Sequence, residues 1–135
     1  MIERVFVYGT LKPELRNYHV AQKAGLEHFE EAYVEGFSVY DVQPEDYPAL
    51  VPGPGRVHGY VLSFADIEVA LSHLDELESV YIKPPLYSRR STRVLPLGVE
   101  AWIYVYEQTL ARPGVRLEPS GVWQPFSHKS SSTTA

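Results

Sequence analysis

The sequence predicts an α+β domain in which strands dominate and one helix stands out. Three observations carry this: β-branched and aromatic runs recur along the chain, glycine and proline punctuate them, and residues 66–78 repeat apolar side chains at helical spacing. At 135 residues the chain has the size of one domain able to bury its own core. It contains no cysteine, so disulfides, thiolate nucleophiles and cysteine-held metals are excluded.

The elements follow in order. Val5-Phe6-Val7-Tyr8 is a buried strand halted by Gly9 in a tight turn. Residues 14–23 are weakly helical and close on Ala24-Gly25, and residues 26–42 suit one long or two short strands with Gly36 at the bend. Between positions 44 and 54, Pro44, Pro48, Pro52 and Pro54 remove donors and fix φ, so this stretch reads as an ordered loop or edge segment rather than a central strand. Residues 57–64 form the next strand. Asp66 then caps the helix that runs to about Glu78, and strands over 86–95 and 99–107 complete the set. Beyond Arg112, Pro113, Pro119, Pro125 and a Ser-Ser-Ser-Thr-Thr-Ala ending form a composition expected to bury little. The domain is accordingly drawn at 1–127, with 128–135 a disordered tail.

A formal net charge of −5 argues against a nucleic-acid partner. The one basic cluster, Arg89, Arg90 and Arg93, alternates across a strand and reads as a solvated face. No basic region leads into an apolar stretch at the start, and no apolar run approaches the ~20 residues that span a bilayer. The expectation is a cytoplasmic protein with no membrane partner; its oligomeric state is left open.

On the helix, Ile67, Ala70, Leu71, Leu74 and Leu77 make one apolar stripe, and Glu78 falls on that stripe, with Asp75 at its flank and Glu76 opposite. A carboxylate turned inward is desolvated, which raises its pKa toward the range useful for proton transfer near neutrality. Glu78 is therefore a candidate general base. The competing reading has the helix fray at Leu77, with Glu78 in solvent or paired with an arginine; periodicity weighs the two evenly. The turn Tyr8-Gly9-Thr10-Leu11 has two readings as well: a nest of backbone N–H groups for an anion, or a simple reversal of the chain.

Taken in order along about 120 residues, several segments resemble the γ-glutamylcyclotransferase-like family, including its γ-glutamylamine cyclotransferase and AIG2-like branches. They are Val5-Phe6-Val7-Tyr8-Gly9-Thr10-Leu11 with Lys12, Tyr47-Pro48-Ala49-Leu50-Val51, Val57-His58-Gly59-Tyr60-Val61-Leu62 and Leu74-Asp75-Glu76-Leu77-Glu78. Tyr87-Ser88-Arg89, Ala101-Trp102-Ile103-Tyr104-Val105-Tyr106 and Ser120-Gly121-Val122-Trp123 continue the match.

The resemblance implies a small, mostly antiparallel, barrel-like sheet with one main helix. It also implies conversion of a γ-glutamyl amine, amino acid or peptide to 5-oxoproline and a free amine. It makes Glu78 the catalytic acid/base and the turn Tyr8, Gly9, Thr10 and Leu11 the holder of the substrate's α-carboxylate. Tyr87 and Tyr104 become cavity contacts, and no metal or other cofactor is needed. Two positions depart from the family: Ser79 stands where glycine commonly follows the glutamate, and Val122 where aspartate precedes the late tryptophan. Ser79 motivates the alternative of a non-catalytic module that binds a glutamyl ligand. His58 and His73 form no metal spacing and are taken as structural.

Overall fold

Strand β1 (Arg4–Val7) occupies the middle of a six-stranded sheet ordered β4 (Tyr87–Val94), β5 (Val99–Tyr106), β1, β3 (Tyr47–Phe64), β2 (Leu26–Val42), β6 (Val115–Leu117). The computed structural model of the chain describes residues 2–79 and 83–126. Helix α1 (Tyr18–Lys23) precedes β2, and helix α2 (Ile67–Leu77) follows β3. β1 runs antiparallel to β3, with Val7 opposite Tyr60, and parallel to β5, with Val5 opposite Trp102; the remaining pairs are antiparallel.

The sheet curls into a half-barrel. Just beyond β4, the Leu95 N–H donates to the Tyr33 carbonyl at 2.8 Å and the Tyr33 N–H returns the bond at 2.9 Å, which brings one end of the sheet back to β2. Alternation along β1 then divides the core. Val5 and Val7 belong to a cluster with Ile67, Ala70, Leu71 and Leu74 of α2, while Phe6 and Tyr8 join Val34, Leu50, Val61, Ile103 and Trp123 on the other face.

The proline-rich stretch is part of strand β3 rather than a loop. Pro48, Pro52 and Pro54 all sit at even positions, so their missing N–H donors fall on one side of the strand. The strand still pairs with β2 there, Pro48 opposite Asp41 and Pro52 opposite Phe37, while β1 pairs only farther along, from Tyr60 to Ser63. That half of β3 is thus an edge-like extension, the second of the two readings. β2 is a single strand of 17 residues, and Gly36 adopts φ +83 at the register shift between Glu35 and Phe37.

Two further expectations are corrected. The helix read over 14–23 begins only at Tyr18, because Glu14 takes φ 72 and residues 10–17 are turns, so two helices pack with the sheet. The segment beyond Arg112 does bury a side chain. β6 pairs with β2 through Val115, Arg116 and Leu117, and Trp123 is 0 % exposed, its indole N–H donating to Asp41 Oδ1 at 2.9 Å. The tail placed at 128–135 lies outside the described residues. Among the described residues, no helix is long and apolar enough to cross a membrane.

Candidate active site

Helix α2 carries the acid to the site. Asp66 accepts hydrogen bonds from the N–H groups of Glu68 at 3.1 Å and Val69 at 3.3 Å, which satisfies donors at the helix start. Ile67, Ala70, Leu71 and Leu74 are buried and fix the helix rotation. That rotation aims Glu78, which caps the helix C-terminus with its N–H on the Leu74 carbonyl at 2.9 Å, into a cavity of about 130 Å3. Tyr8, Gly9, Thr10, Leu11, Tyr87 and Tyr104 line the same cavity, so every site residue expected from the sequence meets there.

Glu78 retains partial exposure through the cavity, yet burial pushes its carboxyl up to about 7. Among the described residues no hydrogen bond or ion pair involves that carboxyl, so desolvation acts without opposition. The arginine partner of the competing reading goes elsewhere. Asp75, one turn earlier and 3 % exposed, accepts from Arg89 Nε at 2.9 Å and from the Tyr104 hydroxyl at 2.7 Å. The Arg89 guanidinium also lies 4.5 Å from the Trp102 ring centroid. Asp75 is therefore buried rather than flanking, and Arg89 is a tied cation rather than part of a solvated face. Arg90, which pairs with Glu107 at 3.0 Å, remains half exposed.

Three tyrosine hydroxyls face this carboxylate, each with its proton already committed. Tyr8 donates to the Tyr104 carbonyl at 2.5 Å, Tyr87 to the Pro48 carbonyl and Tyr104 to Asp75. Burial raises the pKa of all three, and the charge of Glu78 adds to the rise. They stay neutral at physiological pH, and with their protons engaged their oxygen lone pairs are what they can present to a ligand's donors.

The turn is built from several directions. The Lys12 N–H donates to the Gly9 carbonyl at 3.0 Å, and Asn17 ties Thr10 twice, through its N–H to the carbonyl at 2.9 Å and its Nδ2 to Oγ1 at 2.8 Å. Glycine is required at position 9 because a Cβ there would sit 2.4 Å from Pro48 Cγ. Lys12, itself buried, donates from Nζ to the Trp123 carbonyl at 2.6 Å, and desolvation lowers its pKa.

Sequence reasoning missed Asn17 and Arg16 as cavity residues. Asn17 had a signal, a helix-capping residue type inside the weakly helical stretch, and Arg16 stands beside it in the turn before α1, while Tyr47 and Pro48 reach the cavity at the start of β3. Ser79 adopts φ +55, the left-handed region where glycine is favoured, so the glycine of the family pattern would fit this position without strain. His58 stacks at a tilt against Tyr33 and His73 is exposed; neither lines the cavity.

A mixed, curled sheet with a buried helix-end glutamate beside a glycine turn defines a class of small α+β proteins, and the sequence comparison places the chain within it. Residues 5–125 match the family described as gamma-glutamyl cyclotransferase, AIG2-like, and the chain belongs to that family. It is 32 % identical over 120 residues to the gamma-glutamylcyclotransferase family protein YtfP of Escherichia coli K12, covering 89 % of this chain and 95 % of that protein.

The solution structure of the Escherichia coli protein superimposes with a TM-score of 0.61, over 89 % of this chain and 95 % of that one, at 28 % identity. An uncharacterized protein from Pyrococcus horikoshii shares the fold with a TM-score of 0.73 at 20 % identity, over 98 % and 99 % of the two chains. An AIG2-like protein from Mus musculus does so at 0.66 and 24 %, over 87 % and 96 %.

Proposed function

We propose that the protein is a cyclotransferase that converts a γ-glutamyl amine or γ-glutamyl amino acid to 5-oxoproline and a free amine. One observation carries the reading: a carboxyl without a partner among the described residues, pushed up to about 7, lies across a small cavity from a glycine turn in a chain of this family. The same proposal includes a small γ-glutamyl partner, which rests on the family match, and a cytoplasmic location, with which a chain that contains no cysteine accords.

The substrate's α-amine and γ-carbonyl belong to one molecule, so ring closure needs a folded conformer and a neutral amine. Holding reacting groups in near-attack geometry supplies up to about 7–11 kcal/mol in favourable cases. In the proposed reaction the turn Gly9, Thr10 and Leu11 receives the α-carboxylate on its backbone N–H groups. Tyr8, Tyr87 and Tyr104 supply walls and lone pairs beside the α-ammonium. Ionised Glu78 takes one proton from the ammonium, and the freed amine nitrogen attacks the γ-carbonyl carbon. A new C–N bond forms as the old one breaks: the proton held by Glu78 passes to the departing nitrogen, the ring nitrogen gives its second proton to the freed Glu78 carboxylate, and that proton leaves with the released amine as its ammonium form. A group with a pKa near the working pH can both accept and return a proton, which is what burial has done to this glutamate.

The test is incubation of the purified chain with γ-glutamyl dipeptides and γ-glutamyl amines while 5-oxoproline is followed chromatographically. Formation of 5-oxoproline with stoichiometric amine supports the reading. Absence of product from every substrate at high enzyme concentration overturns it.

A further inference from the structure

A second groove, of about 390 Å3, adjoins the catalytic cavity and shares Tyr47 and Leu86 with it. Its other walls include Tyr106, Gln108, Thr109 and Arg112. Tyr47 lies between the two spaces, its ring centroid 6.3 Å from that of Tyr87 on the catalytic side and 6.1 Å from that of Tyr106 on the groove side. A γ-glutamyl unit held against Glu78 occupies the first cavity, so the group attached to its γ-carbonyl has to leave through a neighbouring space. This groove is placed to receive it.

The groove's polar equipment is specific. Arg112 Nε is buried and, among the described residues, has no hydrogen-bond partner, an arrangement rare enough in folded proteins to call for a reason. Among the described residues its Nη2 donates to Glu45 Oε1 at 2.8 Å, which ties the guanidinium without satisfying Nε. Thr109 Oγ1 accepts from the Ala111 N–H at 3.0 Å, which leaves its hydroxyl proton to donate. The Gln108 amide is tied to the Pro85 carbonyl at 2.7 Å and acts as a fixed wall. Donors of this kind, set among Tyr47, Leu86 and Tyr106, match an amino acid: a carboxylate for Arg112 and Thr109 and a side chain for the apolar walls.

We infer that the Tyr47–Arg112 groove is the leaving-group subsite and that it selects substrates whose departing amine carries a carboxylate, γ-glutamyl amino acids rather than γ-glutamyl amines. The inference rests on the cyclotransferase reading for the identity of the first cavity's occupant, and it narrows that reading to one of its two substrate classes.

The experiment compares γ-glutamyl-alanine with γ-glutamyl-ethylamine, which differ only in the leaving group's carboxylate. The expected result is a kcat/KM about tenfold or more higher for the alanine compound, the order of one charge-assisted hydrogen bond. Arg112→Gln abolishes the preference by slowing the alanine compound alone, and Arg112→Lys restores part of it. Equal rates for the two compounds, or an Arg112→Gln variant that slows both equally, overturn the inference while leaving the cyclotransferase reading intact.

Calorimetric binding of both compounds to the Glu78→Gln protein separates the two ideas in the other direction. A tenfold tighter alanine complex that loses its advantage on adding Arg112→Gln supports the subsite even if no 5-oxoproline is ever formed. Equal affinities overturn it.

Discussion

Asp75 and Glu78 stand one turn apart at the end of helix α2, and both are withdrawn from bulk water, Glu78 less completely, yet their partners differ. Asp75 meets a guanidinium and a phenol, and its charge is compensated where it sits. Glu78 meets three tyrosines whose protons are spoken for and, among the described residues, no cation. Burial alone does not make an acid useful for chemistry. Burial combined with a missing counter-charge does, and the helix supplies one example of each.

The sharpest way to break this contrast is Glu78→Gln. The rate of 5-oxoproline formation is expected to fall by about 10²–10⁴-fold, the usual contribution of general acid–base catalysis. The wild-type pH profile of kcat/KM should lose about tenfold per pH unit below an acidic limb near 7, since the carboxylate is the active form.

Stability runs the opposite way. With a pKa raised from 4.5 to about 7 by folding, the unfolded chain gives up this proton first, so the native state loses stability as pH rises between those values. At pH 8 Glu78→Gln should therefore be more stable than the wild type by about 1–3 kcal/mol in urea unfolding. A variant less stable at pH 8, or a limb near 4.5, would mean the carboxyl is solvated.

Asp75→Asn probes the partnered acid. It leaves Arg89, which is 28 % exposed, without its ion pair, and is expected to cost about 2–4 kcal/mol by the same unfolding measurement at every pH from 5 to 8. Activity should fall less than with Glu78→Gln, because the proposed acid/base is untouched and only the hold on the cavity's Tyr104 is weakened.

Ser79→Gly is the smallest change. It relieves a non-glycine residue at φ +55 immediately after the acid, and should raise stability by up to about 1 kcal/mol while kcat/KM stays within twofold. A large gain in rate would instead show that serine distorts the acid's position.

Much of this site is legible in the sequence, and the reasons are physical. Asp66 as cap and the stripe Ile67, Ala70, Leu71 and Leu74 are local patterns, and together they determine where Glu78 lies. The burial of Asp75 is not local: a helix packed against a curled sheet hides a wider arc than its apolar residues mark, and the arginine that makes burial tolerable comes from strand β4. Prolines at 48, 52 and 54 read against a strand until their shared parity and the edge-like half of β3 are known. β6 has three residues and is mostly exposed, so no periodicity betrays it; it exists because β2 extends far enough to pair with it. The glycine turn is visible as a motif, but its tie to Asn17 and its close approach to Pro48 emerge only in the folded chain.

The hydrogen bond from Lys12 to the carbonyl of Trp123 spans 111 positions of the chain. On a ribosome, the turn after β1 is synthesised long before the carbonyl that caps its lysine, and β1 itself must wait for β3 and β5 on its two flanks. The segment that binds substrate in our proposal is thus among the first made and the last completed, so a nascent chain has no finished pocket until residue 123 has cleared the exit tunnel.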